Sequence, residues 1–204
     1  MVFTIPEGLH PDLNGLAWLV GTWRGKGYGE YPNIDRFQFA HEVVFSHDER
    51  PFLTYFSRTW IIDDDGEIIR PGASETGFWR VRDSNILEVT LSHSSGLAEG
   101  WVGQFDGPKI QLAMDHSYAS PSANPIEAGS RLYGLVEGEL FYAYDMATDG
   151  YPLQAIFGQR FRDPMSEVLA EVTRGGVVES LHSGHLLLLD KNGEQFSHWE
   201  IRKC

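Results

Sequence analysis

The chain has 204 residues, a formal net charge of −13, 42% hydrophobic residues and 13% aromatic residues. That is one domain of ordinary size with enough apolar material for a large core or a greasy cavity. The acidic balance argues against a nucleic-acid binder, which needs clustered Lys and Arg, and against an anionic membrane surface. Met1–Pro6 carries neither a basic region nor a long apolar run, so no signal peptide is expected, and no stretch has the length of a membrane helix. The one cysteine, Cys204, is the last residue, which leaves no internal disulfide and no Cys-based metal site. The expected setting is cytoplasmic.

In chain order, residues 9–20 read as a short lead-in, with Asn14 able to cap a turn before Leu16, Trp18 and Leu19. Gly21-Thr22-Trp23-Arg24-Gly25-Lys26-Gly27-Tyr28-Gly29-Glu30-Tyr31-Pro32 follows, with glycines at strand spacing. Glycine weakens a strand unless a bend, a second backbone or a ligand must come close. A phosphate-binding loop would need a helix next, and Tyr31-Pro32 resists one. Arg36 to Ser46 alternates, with Phe37, Phe39, His41, Val43 and Phe45 on one face. Phe52 to Ile62 is a further aromatic and β-branched run, ended by Asp63-Asp64-Asp65-Gly66. Strands are expected at Glu75–Val81, Ile86–Ser92, Leu97–Phe105, Ile110–Met114, Arg131–Val136, Glu139–Met146 and Tyr151–Arg162, with turns between them. The expected fold is all-β, an antiparallel up-and-down barrel of about ten strands able to enclose one small ligand.

Candidate chemistry is sparse. His182-Ser183-Gly184-His185 lacks further zinc ligands nearby. His93 beside Ser94-Ser95-Gly96 has no Gly-x-Ser-x-Gly elbow to make a hydrolase, so a histidine bonded at the barrel rim is the better reading. His41 reads as a satisfied core histidine. Glu75, Arg131 and Arg160 must be paired, or bonded to a ligand's polar head, if they point inward.

Several segments together resemble the nitrobindin family of ten-stranded, fatty-acid-binding-protein-like barrels. They are Gly21-Thr22-Trp23 with Gly25, Gly27, Gly29 and Tyr31-Pro32; Phe45-x-His47 with Pro51-Phe52-Leu53-x-Tyr55; Arg58-Thr59-Trp60; Glu75-Thr76-Gly77-Phe78; His93-x-Ser95-Gly96; Arg131-x-Tyr133; and Met146-Ala147 with Pro152-Leu153-Gln154. They run in order over residues 13–162. The resemblance implies ferric haem b, reaction with nitric oxide and isomerisation of peroxynitrite to nitrate. It also implies one iron-binding histidine two positions after Pro-Leu-Gln, where this chain has Ile156, and a second histidine near the haem, where it has Ala73. Residues 165–185 resemble the start of type II bacterial asparaginases, whose Ser-x-x-Lys lies beyond the end of this chain. The expected domains are a barrel over 1–163 and an appendage over 164–204, an asparaginase-like fragment holding the apolar run Leu186–Leu189.

The leading expectation is a non-catalytic barrel for a small apolar or amphipathic ligand, with no nucleic-acid or membrane partner and a homodimer left open. Its candidate binding residues are Trp23, Phe39, Phe52, His93, Tyr144, Met146 and Ile156, with Arg131 or Arg160 to anchor a carboxylate. The alternative is a haem-dependent peroxynitrite isomerase with an unusual iron ligand. An amidohydrolase rests on the tail alone.

Overall fold

The structure, a computed structural model, describes residues 5–31, 34–136, 138–148, 151–158 and 187–190. A 3-10 helix, Pro11–Leu19, precedes ten strands: β1 (Gly21–Tyr31), β2 (Ile34–Ser46), β3 (Leu53–Ile62), β4 (Ile68–Arg82), β5 (Ile86–His93), β6 (Leu97–Asp106), β7 (Lys109–Ala119), β8 (Ile126–Val136), β9 (Glu139–Thr148) and β10 (Tyr151–Gly158). Each pairs antiparallel with the next. β1 pairs both with β2 and with β10, so the ring of hydrogen bonds closes and the sheet is an up-and-down barrel. Closure removes the exposed edges that would otherwise template aggregation.

The turns expected at 63–66, 83–85, 94–96 and 106–108 are built as such, and the one expected at Asp149-Gly150 lies outside the described residues. Gly66, Gly96, Gly107 and Gly138 all adopt positive φ at the tips between strands, where a Cβ would be strained. Three strands are longer than their sequence suggests. β4 starts at Ile68, not Glu75, because Pro71 is accommodated at a register shift opposite Arg58 and Trp60. β7 runs to Ala119 past a bulge at Gly100 and Trp101, and β8 starts at Ile126. The lead-in is capped by His10, whose Nδ1 accepts from Asp12 N at 3.3 Å; Asn14 lies inside the helix.

A further strand, β11 (Leu187–Asp190), pairs with Arg24–Lys26 of β1 and Leu187–Leu189 with Leu140–Tyr142 of β9. Among the described residues, β10 pairs with β1 at Tyr28 and Gly29. The four residues of β11 lie in the stretch read from sequence as an appendage, and they pair with the barrel sheet. His182, His185 and Arg160 lie outside the described residues.

Strand parity divides the interior into layers. Leu13, Leu16 and Leu19 of the helix are fully buried, and together with Trp23, Phe45, Leu53, Trp79, Leu87 and Ile110 they fill one end of the barrel with apolar side chains. Trp23 Nε1 donates to Leu19 O at 2.7 Å, tying the helix to β1. Gly77 and Gly103 point into the barrel where neighbouring strands approach closely. A Cβ at Gly77 would overlap the Thr90 carbonyl oxygen, which is backbone and cannot swing away. Gly77→Ala should therefore cost about 2–3 kcal/mol, as overpacking does. A urea-denaturation midpoint equal to that of the unmutated chain would refute this.

Candidate functional site

Above the apolar layer the barrel carries a buried charge cluster. Arg131 on β8, 1% exposed, donates from Nη1 and Nη2 to the two Glu75 carboxylate oxygens, both at 2.8 Å, and its Nη2 lies 3.3 Å from Glu99 Oε2. The guanidinium sits over the rings of Trp101 and Tyr144, at 4.8 and 4.4 Å. The Tyr55 hydroxyl and the Trp101 indole N–H donate to Glu75 and Glu99 respectively. His93 completes the cluster, with Nδ1 3.4 Å from Glu75 and Nε2 2.9 Å from Glu99, the latter without hydrogen-bond alignment. Burial pushes the Glu75 carboxyl up, but the Arg131 charge and hydrogen bonds, with His93 and Tyr55, overcome it and hold the group at about 2.

Beyond this layer lies a partly open cavity of about 200 Å³. Its apolar wall comes from Phe39, Leu97, Ile126, Tyr142, Tyr144 and Met146, and its polar wall from His41, Ser57, Glu75 and His93. The register explains why there is room. On β1 the inward positions are Gly25, Gly27 and Gly29, paired with His41, Phe39 and Phe37 of β2, so one wall of the interior has no side chains. A Cβ at Gly29 would overlap the Phe37 ring. The glycine spacing thus makes space for rings from the neighbouring strand.

Of the residues proposed as lining from sequence, Phe39, His93, Tyr144 and Met146 border the cavity. Trp23 belongs instead to the apolar end. Phe52 precedes β3 with outward parity, packing 5.3 Å from Phe78 with Arg50 over its ring, and does not reach the interior. Ile156 lies on β10. Arg131 points inward but is no open anchor for a carboxylate, because two carboxylates already hold it. His93 faces inward, not along the rim, because it pairs in register with Glu75.

His41 was not among the residues chosen for binding. It is 5% exposed, its Nε2 lies 2.6 Å from Ser57 Oγ, and its buried Nδ1 has no partner. Burial drives its pKa down to about 4, with Glu75 opposing and Arg131 adding to the effect, so the ring is neutral at neutral pH. The signal available in sequence was its place among the alternating aromatics of β2.

On the outer face of β9, Asp145 is buried, with one oxygen accepting from Ser130 at 3.2 Å and the other unpartnered. Burial raises it to about 6 against the Ser130 hydrogen bond.

The model of the THAP4-like, heme-binding beta-barrel domain family matches residues 12–162. A Nocardioides sp. protein named peroxynitrite isomerase is 49% identical over 154 residues, covering 76% of this chain and 94% of that protein. A Streptomyces griseus protein named ferric nitrobindin-like protein is 37% identical over 173 residues, 83% of this chain and 91% of its own length. Among solved structures, Rv2717c from M. tuberculosis superposes with a TM-score of 0.68 at 32% identity, covering 89% of this chain and 98% of the other.

Haem asks for an apolar, aromatic pocket and an axial donor such as a neutral imidazole. The cavity offers aromatic walls, a methionine, and His41 with one uncommitted nitrogen. The walls suit the group's apolar faces, while the position that the sequence resemblance gives to the iron ligand carries Ile156 and the uncommitted His41 nitrogen is buried.

Two outcomes follow from the ionisable groups. Glu75→Gln should cost about 3–5 kcal/mol, because it leaves the Arg131 charge buried and underpaired. Glu75 lies at about 2 in the fold against an ordinary 4.5, so its contribution is complete above pH 4.5 and is lost as pH falls towards 2. A stability profile of the variant parallel to the unmutated chain below pH 4.5 would count against the assignment. Asp145 has the opposite sign. The fold holds its proton up to about pH 6 while the unfolded chain releases it near 3.8, so stability declines as pH rises through that window. Asp145→Asn should raise stability at pH 7.5 by about 2–3 kcal/mol, read from denaturation midpoints; no gain at pH 7.5 would contradict it.

Proposed function

The chain belongs to the THAP4-like, heme-binding beta-barrel domain family, and on that footing we propose that it binds haem b in the barrel cavity and converts peroxynitrite to nitrate. The observation that carries this reading is a cavity inside the barrel walled by aromatic side chains and bordered by two histidines, His41 and His93. When bound, haem supplies a redox-active iron tuned by its axial ligand and by the polarity around it. The residues of the chain then have separable tasks. Phe39, Tyr142, Tyr144 and Met146 present apolar surface to a flat ligand and keep water from it. Arg131 holds Glu75 and Glu99 in place, so that the polar wall is fixed before ligand arrives.

The reaction itself asks little more. Peroxynitrite and nitrate contain the same atoms and carry the same charge, so the rearrangement needs neither a net proton nor a reductant. The cavity suits that requirement. With Glu75 at about 2 and His41 at about 4, both are deprotonated at neutral pH, and neither is poised as a general acid.

A second reading, a metal-free container for a small apolar ligand, is favoured by two observations. Ile156 stands where the resemblance places the iron-binding histidine. The cavity, about 200 Å³, is also smaller than the roughly 300–1,000 Å³ of common ligand sites. Titrating the purified full chain with hemin separates the readings. The haem reading expects a saturable Soret band distinct from that of free hemin, and nitrate formation from peroxynitrite faster than in buffer. A spectrum identical to free hemin at every ratio, with a small apolar molecule retained in native mass spectrometry, would replace it with the second.

A further inference from the structure

We propose that the seam between β1 and β9 is an acceptor site for one extended strand, and that Leu187–Asp190 fills it in place of the chain that continues β10. It does so whichever ligand the cavity takes.

The registers of three strands point to this. β10 pairs with β1 at Tyr28↔Gly158 and Gly29↔Phe157, and with β9 at Tyr144↔Phe157. β11 takes up the adjoining positions of both strands. Leu188 is in register with Lys26 of β1 and Phe141 of β9, and Leu189 with Gly25 and Leu140. With β11 paired to both, β1 and β9 stand two strand spacings apart, roughly 9–10 Å, which is room for one strand. Carried past Gly158 without a shift, β10 would bring residue 160 opposite Lys26 and Phe141. Residue 161 would then meet Gly25 and Leu140, and residue 162 would meet Arg24. Those are the places of Leu188, Leu189 and Asp190, one for one. Two segments of the chain thus fit one site in one register. Residues 159–162 lie outside the described residues.

The chemistry of the site favours the distant segment. Arg24 and Lys26 alternate with the inward glycines and so share the outer face of β1. Arg24 already shares its nearest carboxylate, Glu42 of β2, with Arg58 of β3. The continuation of β10 reads Gln159-Arg160-Phe161-Arg162, which sets Arg160 opposite Lys26 and Arg162 opposite Arg24. Like charges directly across a strand pair repel, and opposite charges attract. Leu187–Asp190 sets Leu188 opposite Lys26 and Asp190 opposite Arg24, bringing a second acidic residue to a place where one serves two arginines. The connection, residues 159–186, costs little against this, because loop-closure entropy grows only with the logarithm of length.

The site borders the cavity. Gly25 is the partner of His41 across β1 and β2, and Leu187 is in register with Tyr142; His41 and Tyr142 both line the hollow. A strand held here by backbone pairing on both edges completes the wall where β1 offers only glycine. That is recognition by strand addition, with the chain's own tail as the added strand.

Engineered cysteines in the full chain read which segment is held. Residues directly opposite in an antiparallel pair have Cα atoms about 4.5–5.5 Å apart, within the span of a disulfide. With Cys204→Ser removing the native thiol, Lys26→Cys is combined with Leu188→Cys in one variant and with Arg160→Cys in another. We expect the first pair to oxidise within the monomer under mild oxidant and the second to stay reduced. Where circular dichroism shows that a Lys26 variant does not fold, Arg24→Cys with Asp190→Cys, against Arg24→Cys with Arg162→Cys, makes the same comparison. Oxidation of the pair that includes residue 160 or 162 at an equal or greater rate overturns the proposal and gives the seam to β10. Oxidation of neither pair in folded variants overturns it as well. Disulfide-linked dimers from the Leu188 variant would assign the strand to a second copy and overturn its assignment to the same chain.

Discussion

The bidentate pairing of Arg131 with Glu75 is the constraint on which the interior depends. It links β8 to β4 across the barrel and separates a solid end from a hollow one. Three charged side chains and His93 occupy a layer that would otherwise be hydrocarbon. Buried ion pairs of this kind are weak evidence for stability, because desolvation offsets much of their attraction. Their consequence here is geometric. A guanidinium committed to two carboxylates, and stacked on Trp101 and Tyr144, cannot collapse into the space above it. Neither can the apolar layer below, which is sealed by the 3-10 helix and the Trp23 hydrogen bond to Leu19.

The glycines of β1 act with that layer. Facing inward, they withhold side chains from one wall, and the rings of Phe37, Phe39 and His41 occupy the space beside them. A larger residue at these positions would fill the cavity from the strand that closes the barrel. The cavity is thus defined by a rigid polar floor and a bare wall, with aromatic side chains on the remaining sides. Such a space suits a flat apolar ligand held by one or two polar contacts.

Function and fold meet at β10 and its neighbours. The family resemblance assigns an iron ligand to the position of Ile156, which has no donor atom. The cavity nevertheless contains imidazole nitrogen on β2. The closed sheet gives every strand inward positions, and sites grafted onto a shared fold differ in which of those positions carry the chemistry.

Much of this was legible in sequence for physical reasons. Alternating aromatics from Phe37 to Phe45 can only be a strand with one buried face, and the Asp-Gly and Ser-Gly punctuation can only be turns. Ten such strands without helices between them imply a closed antiparallel sheet. The absent histidine at 156 is likewise a fact of composition. What sequence could not decide was parity and distance. Nothing local distinguishes Phe52, which faces outward against Phe78, from Phe39, which faces the cavity, or shows that Arg131 is already occupied by residues 56 and 32 positions away. Nor could it show that His41 keeps a nitrogen without a partner, because hydrogen bonding between strands depends on register. Local pattern determined that this chain is a barrel, and only the three-dimensional pairing of its strands decided which side chains share the hollow.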